Sequence, residues 1–110
     1  MDVARRAGIP NSVNLLASPS VSLGVASPHV IYLASAYATF AANGVYAKPF
    51  IIKEVDGANQ GILYQGSIST QQVFQPNVMA DLTYALEQVT QRGTAASALG
   101  SFGRPSAGKT

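Results

Sequence analysis

The chain has 110 residues, enough for one small domain, and charged residues make up 11% of it, less than half of the usual share of about 25%. A surface so poor in charge is badly suited to solubility on its own, so we expect part of it to be covered by further protein. The net charge of +2 comes from scattered Lys and Arg, which gives no support for a nucleic-acid-binding face, and the absence of cysteine excludes disulfides, thiolate metal sites and a cysteine nucleophile.

Neither a metal site, a cofactor nor a membrane segment is predicted. The single histidine, His29, cannot form a histidine-rich metal site, and its position favours a solvent-facing residue at a helix start. Residues 1–6 carry charges with no apolar segment behind them, so they are not expected to act as a signal peptide. The longest apolar run, residues 30–42, is shorter than the roughly 20 residues of a membrane span and has the length of a buried core helix.

The start of the chain is predicted to be a helix end followed by a loop. Residues 2–7 have the pattern of the last turns of a helix, which Gly8 caps and Pro10 prevents from resuming. Because this helix has hardly any beginning, we expect the chain to be part of a longer protein. Residues 10–28 are rich in Ser, Asn and Pro and are predicted to be loop, with an apolar alternation at 21–25 that indicates a short strand.

A second helix is predicted over residues 30–42, closed by Asn43 and Gly44. It is apolar nearly all round, so we expect it to be buried on several sides. The apolar positions at helical spacing are Val30, Leu33, Ala34, Tyr37, Ala38 and Ala41.

A β-hairpin and a third helix are predicted next. Residues 49–55 and 62–64 are rich in β-branched and aromatic residues and flank a turn cluster at 56–61. Pro76 is placed to open a helix that Gly93 ends. The apolar stripe of that helix consists of Met79, Leu82, Leu86 and Val89. Tyr37, Phe40, Leu82 and Leu86 are interpreted as core residues.

Three motifs overlap at the end of the chain. Residues 94–102 are predicted to be loop or irregular strand, and Gly103 to Thr110 match the phosphate-binding pattern G-x-x-x-x-G-K-[ST]. That motif needs a strand before it and a helix after it, and only a weak strand at 95–100 precedes it. A P-loop nucleotide-binding fragment therefore stays an alternative. Ser106 to Lys109 also spell S-x-x-K, a serine acyltransferase pattern in which a glycine at position 108 is unsuited to the required helix.

The third motif is the dipeptide Lys109-Thr110, the beginning of K-T-G. A dipeptide is weak evidence alone, but other segments of the chain support this interpretation. In order along the chain, they resemble the transpeptidase domain of class A penicillin-binding proteins. Residues 34–44 resemble "A-S-A-Y-A-T-F-A-N-G-G", and residues 103–110 resemble "G-R-P-x-A-G-K-T-G". The other matching segments are residues 2–9, 18–24, 48–55 and 89–95. One departure is that His29 and Val30 stand where the family has Thr-Pro.

The resemblance implies an α+β fold, a partial domain of the serine-transpeptidase and β-lactamase type. It contains helices, a β-hairpin and the start of the K-T-G edge strand. Residues 1–110 would be an incomplete domain, the segment between the S-x-N and K-T-G motifs. The nucleophile of the S-x-x-K motif would lie upstream of Met1, so we expect this chain alone to be inactive. A non-catalytic structural module is a further alternative.

The chemistry that the resemblance implies is serine acyl transfer between peptidoglycan stem peptides ending in D-Ala-D-Ala, with β-lactams as mimics of the donor. Lys109 would be catalytic and substrate-binding, supplying positive charge beside the substrate carboxylate, and Thr110 would donate a hydrogen bond to that carboxylate. The implied partners are the stem peptide, β-lactams and the rest of the transpeptidase domain. The implied location is the periplasmic or extracytoplasmic face of the bacterial membrane, with an anchor outside this chain.

Overall fold

A computed structural model describes all 110 residues and shows a mixed helix and strand architecture, which confirms the α+β class. The helices are α1 (Asp2–Arg6), α2 (Val30–Ala41), α3 (Pro76–Gln91) and α4 (Ala96–Leu99), with a 3₁₀ helix at Pro19–Leu23. The strands are β1 (Val45–Ala47), β2 (Glu54–Gly57), β3 (Gly61–Gln65) and β4 (Thr70–Gln72).

Helix α1 ends as its sequence predicts, at a glycine cap. The Gly8 amide donates to the Arg5 carbonyl at 3.0 Å, and the Ile9 amide donates to the Ala4 carbonyl at 3.0 Å. Gly8 has φ of +101°, which a residue with a side chain rarely adopts. This paired pattern is a Schellman motif, and it satisfies carbonyls at the helix end that would otherwise lack donors.

The loop after α1 contains a 3₁₀ helix where a short strand was predicted. Pro19 occupies its first turn, and Gly24, at φ of +84°, caps its end. The Ser22 hydroxyl donates to the Pro19 carbonyl at 2.8 Å. The strand prediction for residues 21–25 was therefore wrong, because local proline, serine and glycine chemistry outweighs an apolar alternation that has no partner strand.

Helix α2 also ends in a Schellman motif, which links it to the start of α3. The Asn43 amide donates to the Phe40 carbonyl at 3.2 Å, and the Gly44 amide donates to the Thr39 carbonyl at 2.9 Å. Asn43 has φ of 52°, the left-handed region in which asparagine is tolerated. The Gly44 carbonyl in turn accepts the Val73 amide at 2.8 Å. The predicted closure of this helix by Asn43 and Gly44 is confirmed.

The strands form two separate antiparallel pairs, one nested inside the other along the chain. In the outer pair, β1 lies beside β4, with Val45 opposite Gln72 and Ala47 opposite Thr70. In the inner pair, β2 and β3 form the predicted hairpin, with a register irregularity at Val55 and Asp56. The hairpin prediction is confirmed, although its first strand begins at Glu54 and not at residue 49. The short outer strands were not predicted.

Helix α3 lies where the sequence predicts it, whereas helix α4 was not predicted. Pro76 opens α3, and Met79 on its apolar stripe is buried. The segment predicted as loop or irregular strand after Gly93 instead contains the single turn α4. Its small residues can form local helical bonds, such as the one from the Leu99 amide to the Ala95 carbonyl at 3.0 Å, and no neighbouring strand offers a competing ladder.

The core is small for a chain of this size. Only 8 of 110 residues are buried, and the accessible surface is 8186 Å², against about 5,800 Å² for a compact monomer of this mass. The apolar core residues are Ala7, Ile9, Ala36, Phe74 and Met79. Helix α2 buries only Ala36 and Thr39, and Val30 is 82% exposed. The prediction that α2 is buried on several sides is thus not met within these 110 residues, where its main neighbours among the helices and strands are α3 and β1.

Candidate functional site

Residues 103–110, the closing segment, form neither a helix nor a strand, and they contact α3 through Ser106 and Gly108. The Gly108 amide donates to the Leu86 carbonyl of α3 at 3.2 Å. The Thr90 hydroxyl lies 2.5 Å from the Ser106 carbonyl. The expected start of an edge strand is therefore not formed here, because a strand needs a partner ladder and both strand pairs lie elsewhere in the chain.

The structure places Lys109 and Thr110 at an exposed position beside the turn that follows α3. The Lys109 ammonium donates to the Thr110 carbonyl. The Thr110 hydroxyl contacts the Thr94 hydroxyl. Two segments that the sequence separates by 16 residues, Arg-Gly-Thr and Lys-Thr, are thus brought together.

This arrangement offers a cation and hydroxyl groups on one exposed surface. The one ion pair of the chain joins Arg6 to Asp2 at 3.5 Å, so no Asp or Glu side chain pairs with Lys109. A lysine ammonium next to a hydroxyl can bind a carboxylate through charge-assisted hydrogen bonds. The site is therefore chemically suited to an anionic ligand.

The geometry does not support the P-loop interpretation of residues 103–110. The motif requires a strand before it, and the preceding element is helix α4. The Gly108 amide, one of the groups that would bind phosphate, already donates a hydrogen bond to the Leu86 carbonyl. The S-x-x-K interpretation fares no better, because Ser106 and Lys109 lie on no helix and the Lys109 ammonium turns to Thr110.

His29 lies at the start of α2, as its solvent-facing interpretation predicted. It is exposed, occupies the N-cap position, and its ring lies edge-on to Tyr32 with centroids 6.0 Å apart. None of the helices in this chain is both long and apolar enough to span a lipid bilayer.

Sequence reasoning assigned no site role to Thr90 or Thr94, the two threonines that contact the closing segment. Thr94 belongs to the Arg-Gly-Thr run, which served only to support the resemblance. Thr90 lies at helical spacing from Leu86, four residues earlier, so it shares the face along which residues 103–110 run. That spacing is the one sequence signal that could have marked it.

The mixed helix and strand fold is consistent with part of a serine acyltransferase domain, and comparisons with known proteins define the family. A family model described as the penicillin-binding protein transpeptidase domain matches residues 4–110. The chain therefore belongs to the penicillin-binding protein transpeptidase family.

Curated relatives match nearly the whole chain. Penicillin-binding protein 1F of Bacillus subtilis is 35% identical over 93% of this chain. Penicillin-binding protein 1A of Mycobacterium tuberculosis is 33% identical over 99% of it. The chain spans 14% and 15% of the lengths of these two relatives.

Proposed function

We propose that these residues form part of a D,D-transpeptidase that cross-links peptidoglycan stem peptides and is acylated by β-lactams. The observation that carries the proposal is the family match over residues 4–110, ending on Lys109 and Thr110. The exposed ammonium and hydroxyl of these two residues support it, because the substrate of such an enzyme ends in a carboxylate.

The proposed reaction has two steps. In the first, the oxygen of a serine nucleophile bonds to the penultimate D-Ala carbonyl carbon, the peptide C–N bond breaks, and the terminal D-Ala leaves with the proton. In the second, an amine of a neighbouring stem peptide attacks the resulting ester and returns a proton to the serine oxygen. A β-lactam undergoes only the first step efficiently, since its ring nitrogen stays attached to the acyl group.

Lys109 and Thr110 are proposed to hold the terminal carboxylate of the donor. The ammonium supplies charge and the Thr110 hydroxyl supplies a directed donor, so the reacting carbonyl is fixed relative to the nucleophile. The present contacts of both groups are compatible with this role. The Lys109 side chain is exposed and no Asp or Glu side chain pairs with it, so an incoming carboxylate can reach the ammonium.

Residues 1–110 are proposed to be a C-terminal-side part of the transpeptidase domain, between the S-x-N and K-T-G motifs. The large accessible surface supports this assignment, since apolar side chains such as Leu23 and Ile51 are 86% and 98% exposed. The radius of gyration, 17.5 Å against about 13 Å for a compact chain of this length, supports it further. The proposed setting is the extracytoplasmic face of the bacterial membrane, where stem peptides are found.

The proposal is tested by β-lactam labelling of two proteins in parallel. The complete domain should gain the mass of one penicillin per molecule, and the 110-residue chain should gain none, because it lacks the proposed nucleophile. Labelling of the short chain at Ser106 would contradict the assignment of the nucleophile to another segment. Absence of labelling in the complete domain would favour a non-catalytic module.

A further inference from the structure

Thr90 is one of two buried threonines, and its hydroxyl contacts a carbonyl that lies outside its own helix. Thr90 is 5% exposed and Thr39 is 1% exposed. The Thr39 hydroxyl donates to the Ser35 carbonyl of its own helix at 2.9 Å. The Thr90 hydroxyl lies 2.9 Å from the Glu87 carbonyl of its own helix but 2.5 Å from the Ser106 carbonyl outside it. Both carbonyls lie within hydrogen-bond distance of the Thr90 hydroxyl, and the contact with Ser106 is the shorter one.

The contact with Thr90 holds a segment that has few other restraints. Residues 103–110 lie in no strand, and the Ser106 carbonyl has no second protein donor. The other bond to α3, from the Gly108 amide to the Leu86 carbonyl, is longer at 3.2 Å. Leu86 and Thr90 are four residues apart on one helix face, so the two bonds fix the segment along that face. The Thr90 bond acts three residues before Lys109.

We infer that Thr90 is a positioning residue for Lys109 and Thr110, an inference that rests on the function proposed above. Its hydroxyl is enclosed between α3 and the closing segment and acts through the Ser106 carbonyl, without touching the substrate. Without the hydroxyl, the Ser106 carbonyl loses its donor, and the segment is held near α3 only by the Gly108–Leu86 bond and the Thr94–Thr110 contact. A displacement of about 1 Å in a group that orients the substrate can slow a reaction roughly 100-fold.

The experiment compares variants of the complete transpeptidase domain. Thr90→Val removes the hydroxyl and keeps the shape, and Thr90→Ser restores the hydroxyl. Thr83→Val is the matched control, because Thr83 lies half-buried on the same helix and its hydroxyl makes no hydrogen bond. Lys109→Ala reports on the proposed function itself. Stopped-flow acylation by a fluorescent penicillin gives the rate constant, and the labelled fraction at completion gives the amount of competent enzyme.

We expect Thr90→Val to lower the acylation rate constant by about 10- to 100-fold with an unchanged labelled fraction. Thr90→Ser should recover most of the rate, and Thr83→Val should acylate at the unmodified rate. A purely structural hydroxyl would lower the labelled fraction and leave the rate constant of the remaining molecules unchanged. That result, or a Thr90→Val protein that does not fold, overturns the inference.

The inference and the proposed function fail in different ways. If Lys109→Ala is slow and Thr90→Val is unchanged, the positioning role is wrong and the proposed function stands. If Lys109→Ala acylates at the unmodified rate, the proposed role of Lys109 is wrong, and a positioning residue for it has no meaning.

Discussion

The guanidinium of Arg6 lies over the ring of Phe74, 4.6 Å from the ring centroid. The same guanidinium donates two hydrogen bonds to the Val73 carbonyl, one of them from Nε at 3.1 Å. Residues that are 67 positions apart are thus joined, and α1 is held against the segment that leads into α3. Phe74 itself is buried in the core beside Met79, so this contact connects the chain start to the core.

Arg6→Ala should destabilise the domain by about 1–3 kcal/mol, because it removes both the paired hydrogen bonds and the packing on Phe74. Arg6→Lys should recover only part of this, since an ammonium lacks the planar fork. Arg92→Ala is the matched control: Arg92 is exposed and its side chain makes no hydrogen bond or ion pair, so we expect a change below about 0.5 kcal/mol. Urea unfolding of the complete domain measures all three, and equal effects of Arg6→Ala and Arg92→Ala would contradict the role of Arg6.

Gly44 and Gly24 share the same φ of +84° and differ in their surroundings. A Cβ at Gly44 would lie 2.9 Å from the Phe74 Cβ and overlap the Phe74 carbonyl, whereas a Cβ at Gly24 would meet nothing within 4 Å. Gly24→Ala should therefore cost about 1–2 kcal/mol of backbone strain alone. Gly44→Ala should cost about 2–5 kcal/mol, because overpacking adds to the strain. Melting curves of the two variants decide between them, and equal shifts would show that φ alone matters.

Lys109→Ala should slow β-lactam acylation of the complete domain by roughly 30- to 1000-fold, the equivalent of about 2–4 kcal/mol of transition-state stabilisation. Thr110→Val should slow it less, because it removes one neutral donor and no charge. Lys53→Ala serves as the control, since Lys53 is another exposed lysine whose side chain makes no hydrogen bond. Stopped-flow acylation with melting curves checks the prediction, and a Lys109→Ala protein that is merely unfolded would assign the residue a structural role.

The chain should bind neither ATP nor GTP with Mg²⁺ at micromolar affinity, because α4 stands where a P-loop needs a strand. Isothermal titration calorimetry of the chain with each nucleotide measures this. Micromolar binding that Lys109→Ala abolishes would favour the P-loop interpretation of residues 103–110 over the K-T-G interpretation.

The sequence by itself determined the features that depend on neighbours along the chain. The glycine cap of α1, the Asn43–Gly44 end of α2 and the Pro76 start of α3 are set by backbone preferences within one helical turn. The β2–β3 hairpin is likewise local, since its strands are joined by a short turn. The order of motif-like segments was sufficient to predict the transpeptidase family, to which the chain belongs.

The tertiary structure alone decided what depends on distant partners. The pairing of β1 with β4 joins short strands across the inserted hairpin, and three residues carry too little periodicity to predict either strand. The approach of Thr94 to Thr110 and the bond between Thr90 and Ser106 follow from how residues 103–110 lie on α3. A hydroxyl gives no sign in the sequence of which carbonyl it will meet, because that partner is chosen by packing between elements and not by local propensity.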